Sequence, residues 1–256
     1  MALERVQKIL ARAGYGSRRS CEKLIVEDRI RVNDQPVKLG DKADEVNDRI
    51  TVDGRKPNAP EANIYIALHK PRNVISAVNS PDPRRTVRDL VEIEGSIYPV
   101  GRLDSDSEGL ILMTNDGDLA NKLTHPRYEH EKEYRVLVAR HPDNEQMKLW
   151  RNGVVLEDGY KTRPAFVKFQ MASGKGAWLR VILREGRKRQ IREMGKVTGL
   201  LVVSIIRMRI ATLKLGNLKP GQWRHLTSDE VQSLKGLTSG QIKNSKGRKT
   251  KKLNNH

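Results

Sequence analysis

Residues 165–184 read AFVKFQMASGKGAWLRVILR. Two strand-like runs, Ala165–Gln170 and Trp178–Arg184, follow one another in the chain with no helix predicted between them. Working outward, the same reading predicts strands at Ile64–His69, Lys132–Ala139, Gly153–Leu156, Leu201–Ile206 and Met208–Lys214. Helical spacing is predicted over 118–124, 143–151, 187–198 and 228–235. Strands outnumber helices and often follow one another directly. The block 63–235 therefore reads as α+β with a largely antiparallel sheet.

A smaller unit precedes it. Val6, Ile9, Leu10 and Ala13 share one face of a helix predicted over 3–13. Gly14 ends it, and Ser17 caps a second helix over 18–28 with Cys21, Leu24 and Ile25 inward. Short strands at Arg29–Val32, Gln35–Lys38 and Arg49–Val52 complete an α-α-β module over 1–54. Residues 55–62, RKPNAPEA, hold two prolines and no large apolar residue and read as a linker. Residues 236–256 read as a disordered basic tail, either a solubility extension or a phosphate-binding arm.

The chain has 256 residues, 37% of them hydrophobic, enough for a sizeable core. No run approaches the ~18 apolar residues of a membrane span, and residues 1–10 have no secretory pattern. A single cysteine, Cys21, excludes an intramolecular disulfide and a cysteine-rich zinc cluster. The expectation is a cytoplasmic monomer with no membrane partner. Lys and Arg total 49 against 31 Asp and Glu, a net charge of +18. Such a field attracts polyanions, with nucleic acid foremost. Aromatics are only 4%, so a phosphate-gripping surface fits better than a broad platform of stacked bases.

Three segments could carry chemistry. Gly101–Gly109, GRLDSDSEG, alternates Asp104, Asp106 and Glu108 before a strand-like Leu110–Met113. A calcium loop would need a glutamate at its twelfth position, which is Asn115, and flanking helices. A strand–loop–strand corner presenting a carboxylate fits better, with Arg102 as its electrostatic partner or a phosphate contact. Arg184–Lys196, REGRKRQIREMGK, is strongly basic, and Ile191, Met194 and Val197 give it one apolar helical face. This places Arg187, Lys188 and Arg189 in a first turn, against the helix dipole, either as a solvated charged face or as the holder of an anionic ligand. Arg192, partly buried in mid-helix, would want a carboxylate. In Lys132–Val138, Tyr134 shares a strand face with Val136 and Val138, as a core residue or as a ring for a nucleobase. The histidines are scattered, and no phosphate-binding glycine loop is present. No metal and no nucleotide cofactor are expected.

GRLDSDSEGLILMTNDGDLANKLTHP resembles the catalytic motif of the ribosomal pseudouridine synthases of the RsuA/RluB type. KEYRV, LREGRKRQIREM and IRMRIATLKLGNLKPGQWRHLT resemble their further motifs, in the family's order. The first module resembles the RNA-binding domain named after small-subunit ribosomal protein S-four. Ser107 stands where the family more often has threonine, and the hydroxyl remains. The resemblance implies Asp104 as the essential aspartate and Tyr134 as the ring stacked on the target base. It implies Arg192 as the aspartate's partner and Arg102 as the arginine near the flipped nucleotide. Contacts to RNA would come from Arg5, Arg12, Arg18, Arg19, Lys23 and Arg31 in the first module, and from Arg187, Lys188 and Arg189. The implied reaction converts uridine to pseudouridine without a cofactor. GVVLEDGYKTRPA at 153–165 favours the large-subunit branch, hence 23S ribosomal RNA. The alternatives are small-subunit RNA, or a non-catalytic ribosome-binding factor. A helix-turn-helix regulator would leave some 170 residues unexplained.

Overall fold

The computed structural model describes residues 3–238. At the front, β1 (Glu4–Arg5) runs into α1 (Val6–Arg12), followed by α2 (Arg18–Val26). Then come β2 (Ile30–Val32), β3 (Gln35–Pro36), β4 (Lys42–Ala43) and β5 (Ile50–Val52). The first helix begins later than its spacing suggests, because Glu4 and Arg5 pair with Ala43 and Lys42 instead. Ser17 caps α2 by accepting from the Ser20 amide at 3.1 Å. Val6, Ile9 and Leu10 meet Cys21, Ile25, Ile30 and Val52 in a core of their own.

Residues 56–64 hold no regular element. Their far end is tied at both sides: the Glu61 amide donates to the Arg12 carbonyl, and Asn115 donates to the Ala62 carbonyl. Lys8 of α1 also pairs with Asp118 at 2.7 Å, so the front module is bonded to the larger unit.

That unit begins with β6 (Tyr65–Lys70), β7 (Tyr98–Pro99), β8 (Glu108–Thr114) and α3 (Gly117–Thr124). It continues with β9 (Lys132–Val138), α4 (Asn144–Asn152), β10 (Phe166–Ser173), β11 (Gly176–Leu183) and α5 (Gln190–Val197). It closes with β12 (Val202–Ile210), β13 (Leu213–Lys214), β14 (Trp223–His225) and α6 (Ser228–Thr238). One sheet runs in the order β10-β11-β9-β12-β8-β6-β14, with β7 on β8 and β13 on β12. Every pairing is antiparallel except β8 with β12. The class expected from the strand pattern, α+β, is the one observed.

Alternation decides the layers. Ile111 and Met113 of β8 enter a core with Tyr134, Val136 and Val138 of β9, Met147 and Trp150 of α4, and Ile191 and Met194 of α5. Leu110 and Leu112 face the other way, onto Leu119 and Leu123 of α3 and Leu234 of α6. Thus β8 is buried on both faces.

Several local expectations fail for identifiable reasons. Gly153–Leu156 is no strand: Val155 makes one isolated bridge to Lys161 and no ladder neighbour exists. Leu201–Ile206 and Met208–Lys214 are not two strands divided at 207. Residues 202–210 run through as β12, then turn at Ala211, where φ is +50°, into β13. The helix predicted over 187–198 starts at Gln190, so Arg187 and Lys188 precede it and Arg189 is its N-cap. Val197 is 38% exposed, so the apolar face of α5 is Ile191 and Met194. The tail predicted from 236 begins within α6, and 239–256 lie outside the described residues. Among the described residues no helix is long and apolar enough to cross a membrane.

Candidate active site

A cleft of about 680 Å³ opens on the α4–α5 side of the sheet. Arg102, Asp104, Tyr134, Arg187, Lys188 and Arg189 all line it. Eight Lys or Arg and four Asp or Glu stand in its wall. The excess of cations suits a phosphate-bearing ligand.

Asp104 sits at the corner between β7 and β8, and its loop is pinned from several sides. The Arg102 carbonyl accepts from Arg207 Nη1 at 3.3 Å, and the Leu103 carbonyl from Ser76 Oγ at 2.8 Å. The Ser105 carbonyl accepts from the Asn73 amide at 2.7 Å and from Lys70 Nζ at 3.4 Å. The Asp106 carbonyl accepts from Arg72 and Arg192, each at 3.3 Å. Gly109 follows with φ at +113°, where a Cβ would lie 2.4 Å from the Arg207 backbone nitrogen and oxygen. A side chain there would push apart the one parallel strand pair that carries the corner.

The structure redistributes the expected partners. Arg192 does take a carboxylate, but it is Asp106: Nε lies 3.2 Å from Asp106 Oδ2. The cation nearest Asp104 is Arg189, with Nη1 3.8 Å from Oδ2. The later start of α5 is the reason. It leaves Arg189 at the N-cap, in left-handed backbone with φ at +54°, over the corner. Arg192 is one turn down, away from the cleft wall, and burial lowers its pKa. Arg187 stacks 3.9 Å from the Tyr160 ring and pairs with Asp158.

Tyr134 is 8% exposed; it belongs to the main core and also lines the cleft. The core placement expected of it is observed, and its place in the cleft wall leaves the stacking role open to a bound base. In register it faces Arg207 of β12.

Arg207 and Lys70 are site residues that the sequence reading missed. Arg207 is 3% exposed and has no carboxylate partner among the described residues. Its Nε donates to the Leu110 carbonyl at 2.8 Å, and its Nη2 is buried without an acceptor. Burial pushes its pKa down, and the Tyr134 hydroxyl offsets part of that. Lys70 is fully buried at the end of β6, where Nζ donates to the Pro71 carbonyl at 2.9 Å. Burial lowers its pKa to about 8, against the pull of Asp106, Asp104 and Glu108. The only signal for Lys70 was a charge closing an apolar strand before proline. For Arg207 it was a lone charge inside one.

In the front module the expected RNA contacts divide. Arg5, Arg18, Arg19 and Lys23 are exposed. Arg12 is paired with Glu4 and Glu45, and Arg31 with Asp28.

Comparison with known proteins identifies the family. Residues 64–196 match the family model described as RNA pseudouridylate synthase, and residues 4–50 match the S4 domain. The two leading helices therefore belong to an S4 domain and not to a helix-turn-helix regulator. A ribosomal large subunit pseudouridine synthase B of Bacillus subtilis is 41% identical, covering 92% of this chain and 97% of its own. An RNA pseudouridine synthase of Aquifex aeolicus is 40% identical over 90% of this chain and 93% of its own. A crystal structure of a pseudouridylate synthase superposes with a TM-score of 0.64 at 27% identity, covering 90% of this chain and 99% of that one. The chain belongs to the RNA pseudouridylate synthase family and is a pseudouridine synthase acting on RNA, with an S4 domain at its front.

Proposed function

We propose that the chain isomerises a specific uridine of large-subunit ribosomal RNA, with Asp104 as the nucleophile. The observation that carries this reading is the convergence of Asp104, Tyr134 and Arg102 in one cation-rich cleft. The name of the Bacillus relative supports the choice of subunit. In the reaction the bond from ribose to the base nitrogen breaks and the uracil turns. A carbon–carbon bond then forms at carbon five, and the proton from that carbon is released. The target base leaves its stack, which costs a few kcal/mol. Phosphate contacts from Arg187, Lys188 and Arg189 offset that cost, and Arg102 fills the space beside the flipped nucleotide. Tyr134 stacks on the uracil. Attack by Asp104 on either the uracil ring or the ribose is compatible with its position.

Arg207 is a positioning residue in this scheme. One guanidinium ties the carbonyls of Arg102 and Leu110 and faces Tyr134, so it sets the spacing between carboxylate and ring. Arg192 orients the corner through Asp106. Residues 1–54 serve as the RNA-positioning unit and 63–235 as the catalytic unit, acting as a monomer. The test of the substrate is tritium release from carbon-five-labelled ribosomal RNA, with the two subunits' RNAs offered separately. Release from large-subunit RNA alone is expected. Release from small-subunit RNA alone would contradict the assignment.

A further inference from the structure

On one face of β9, β10 and β11, five apolar side chains belong to none of the sheet's cores. Phe166 and Met171 of β10 are 48% and 55% exposed. Trp178 and Ile182 of β11 and Leu137 of β9 are half-buried beside them. The register arranges them in three cross-strand rows: Phe166–Ile182–Glu133, Lys168–Arg180–Arg135 and Met171–Trp178–Leu137. Tyr134 lies between Glu133 and Arg135 on β9, so these rows occupy the face opposite the cleft. At the other end of the sheet α3 and α6 cover this face, packing on β6 and β8. Over β9, β11 and β10 the described residues leave it open.

The chemistry of the open face is aromatic and basic. The Arg135 guanidinium lies 4.8 Å from the Trp178 ring centre, and that of Arg180 lies 5.5 Å from Phe166. Neither Arg135 nor Lys168 has a carboxylate partner among the described residues. The one acid in the three rows, Glu133, is shared by Arg180 and Arg209. Leu237, near the end of α6, lines a small cavity with Arg184 and Arg209 at the border of this face. The sequence beyond it, 241–256, contains six Lys or Arg and no acid. A second copy of a chain with net charge +18 would bring like charge to this surface. An anionic partner with flat, apolar faces complements it.

We propose that the outward face of β9, β10 and β11 is a second RNA-contact surface, which takes an unpaired segment of the RNA away from the reacting uridine. Bases lie against Trp178, Phe166 and the guanidinium planes stacked on them, and phosphates against Arg135 and Lys168. The inference rests only on RNA being the substrate. Persistent turnover by Asp104→Asn would overturn the nucleophile and leave this surface untouched.

Two measurements test it. The first is equilibrium binding of a fluorescent oligouridylate of about twelve nucleotides to wild type and to Arg135→Gln/Lys168→Gln. The second is ultraviolet cross-linking of wild type to ribosomal RNA, read by peptide mass spectrometry. The double variant should bind roughly three- to tenfold more weakly near 0.15 M salt. Its salt slope should be smaller by about 1.4, for two single-strand phosphate contacts at ~0.7 each. Its turnover at saturating RNA should equal that of wild type. Nucleotide adducts should appear on the peptides carrying Phe166 or Trp178. Unchanged affinity and slope, with adducts confined to the cleft and the front module, would overturn the proposal. So would a wild-type dimer in light scattering that the double variant abolishes, which would make the face a contact between copies.

Discussion

On one side of the cleft, residues 101–109 have four backbone carbonyls held by the side chains of Lys70, Arg72, Ser76, Arg192 and Arg207. On the other, Arg184, Arg187, Lys188 and Arg189 are all exposed, and their ion pairs are to exposed or half-exposed acids. The two arms carry different tasks. In the proposed reaction bond making tolerates little displacement, which suits a carboxylate on a corner held at four carbonyls. Phosphates are reached by long side chains whose charges work over several ångströms, so the second arm needs cations more than it needs rigidity.

The contrast is broken most severely at Gly109. Gly109→Ala places a Cβ 2.4 Å from the backbone of β12 and strains a φ of +113°. A loss of more than about 3 kcal/mol of stability is expected, read as the fall in thermal midpoint or in soluble yield. Arg207→Met removes the side-chain donor from the Arg102 carbonyl of the pinned arm and from the Leu110 carbonyl just beyond it. It should lower kcat by roughly a hundredfold with KM changed far less, since it touches no phosphate. Arg207→Lys, which keeps the charge and loses the fork, should fall between Arg207→Met and wild type.

Lys70 sharpens the comparison through pH. Its pKa is about 8 in the folded chain against 10.5 for an ordinary lysine. Between these values the unfolded chain binds more protons than the folded one, so stability from this group rises with pH there. Below about pH 8 the burial cost is present in full. The thermal midpoint of wild type should therefore gain on that of Lys70→Met between pH 8 and 10.5. A constant gap would show that Lys70 is not held down by burial.

The open arm gives the smallest effect. Lys188 is exposed, with no ion-pair partner among the described residues. Lys188→Gln should weaken RNA binding two- to threefold and reduce the salt slope by about one contact, with kcat unchanged. Its effect on stability should lie within about 0.5 kcal/mol.

Much of this arrangement was legible in the sequence. Strict alternation marked β9, and the cap at Ser17 marked α2. The motif around Asp104 marks the strand–loop–strand corner. The pinned arm was far less visible. Arg207 was read as a break between two strands, because a charge in an apolar run ordinarily marks an end. The structure buries that charge inside β12, where the carbonyls of β7–β8 and the Tyr134 hydroxyl answer it. The link from Arg192 to Asp106 was missed for a related reason. Spacing along a helix says which side a residue faces, but a shift of the helix start decides which of two neighbouring carboxylates it meets.

The proposed mechanism has Asp104 perform the chemistry while the surrounding cations hold the corner and the RNA. It is tested most directly by tritium release from carbon-five-labelled large-subunit RNA, comparing wild type with Asp104→Asn, a change that keeps shape and removes charge. Release by wild type and none by the variant, with RNA affinity preserved within about threefold, is the expected result. Release by Asp104→Asn at the wild-type rate would contradict the account.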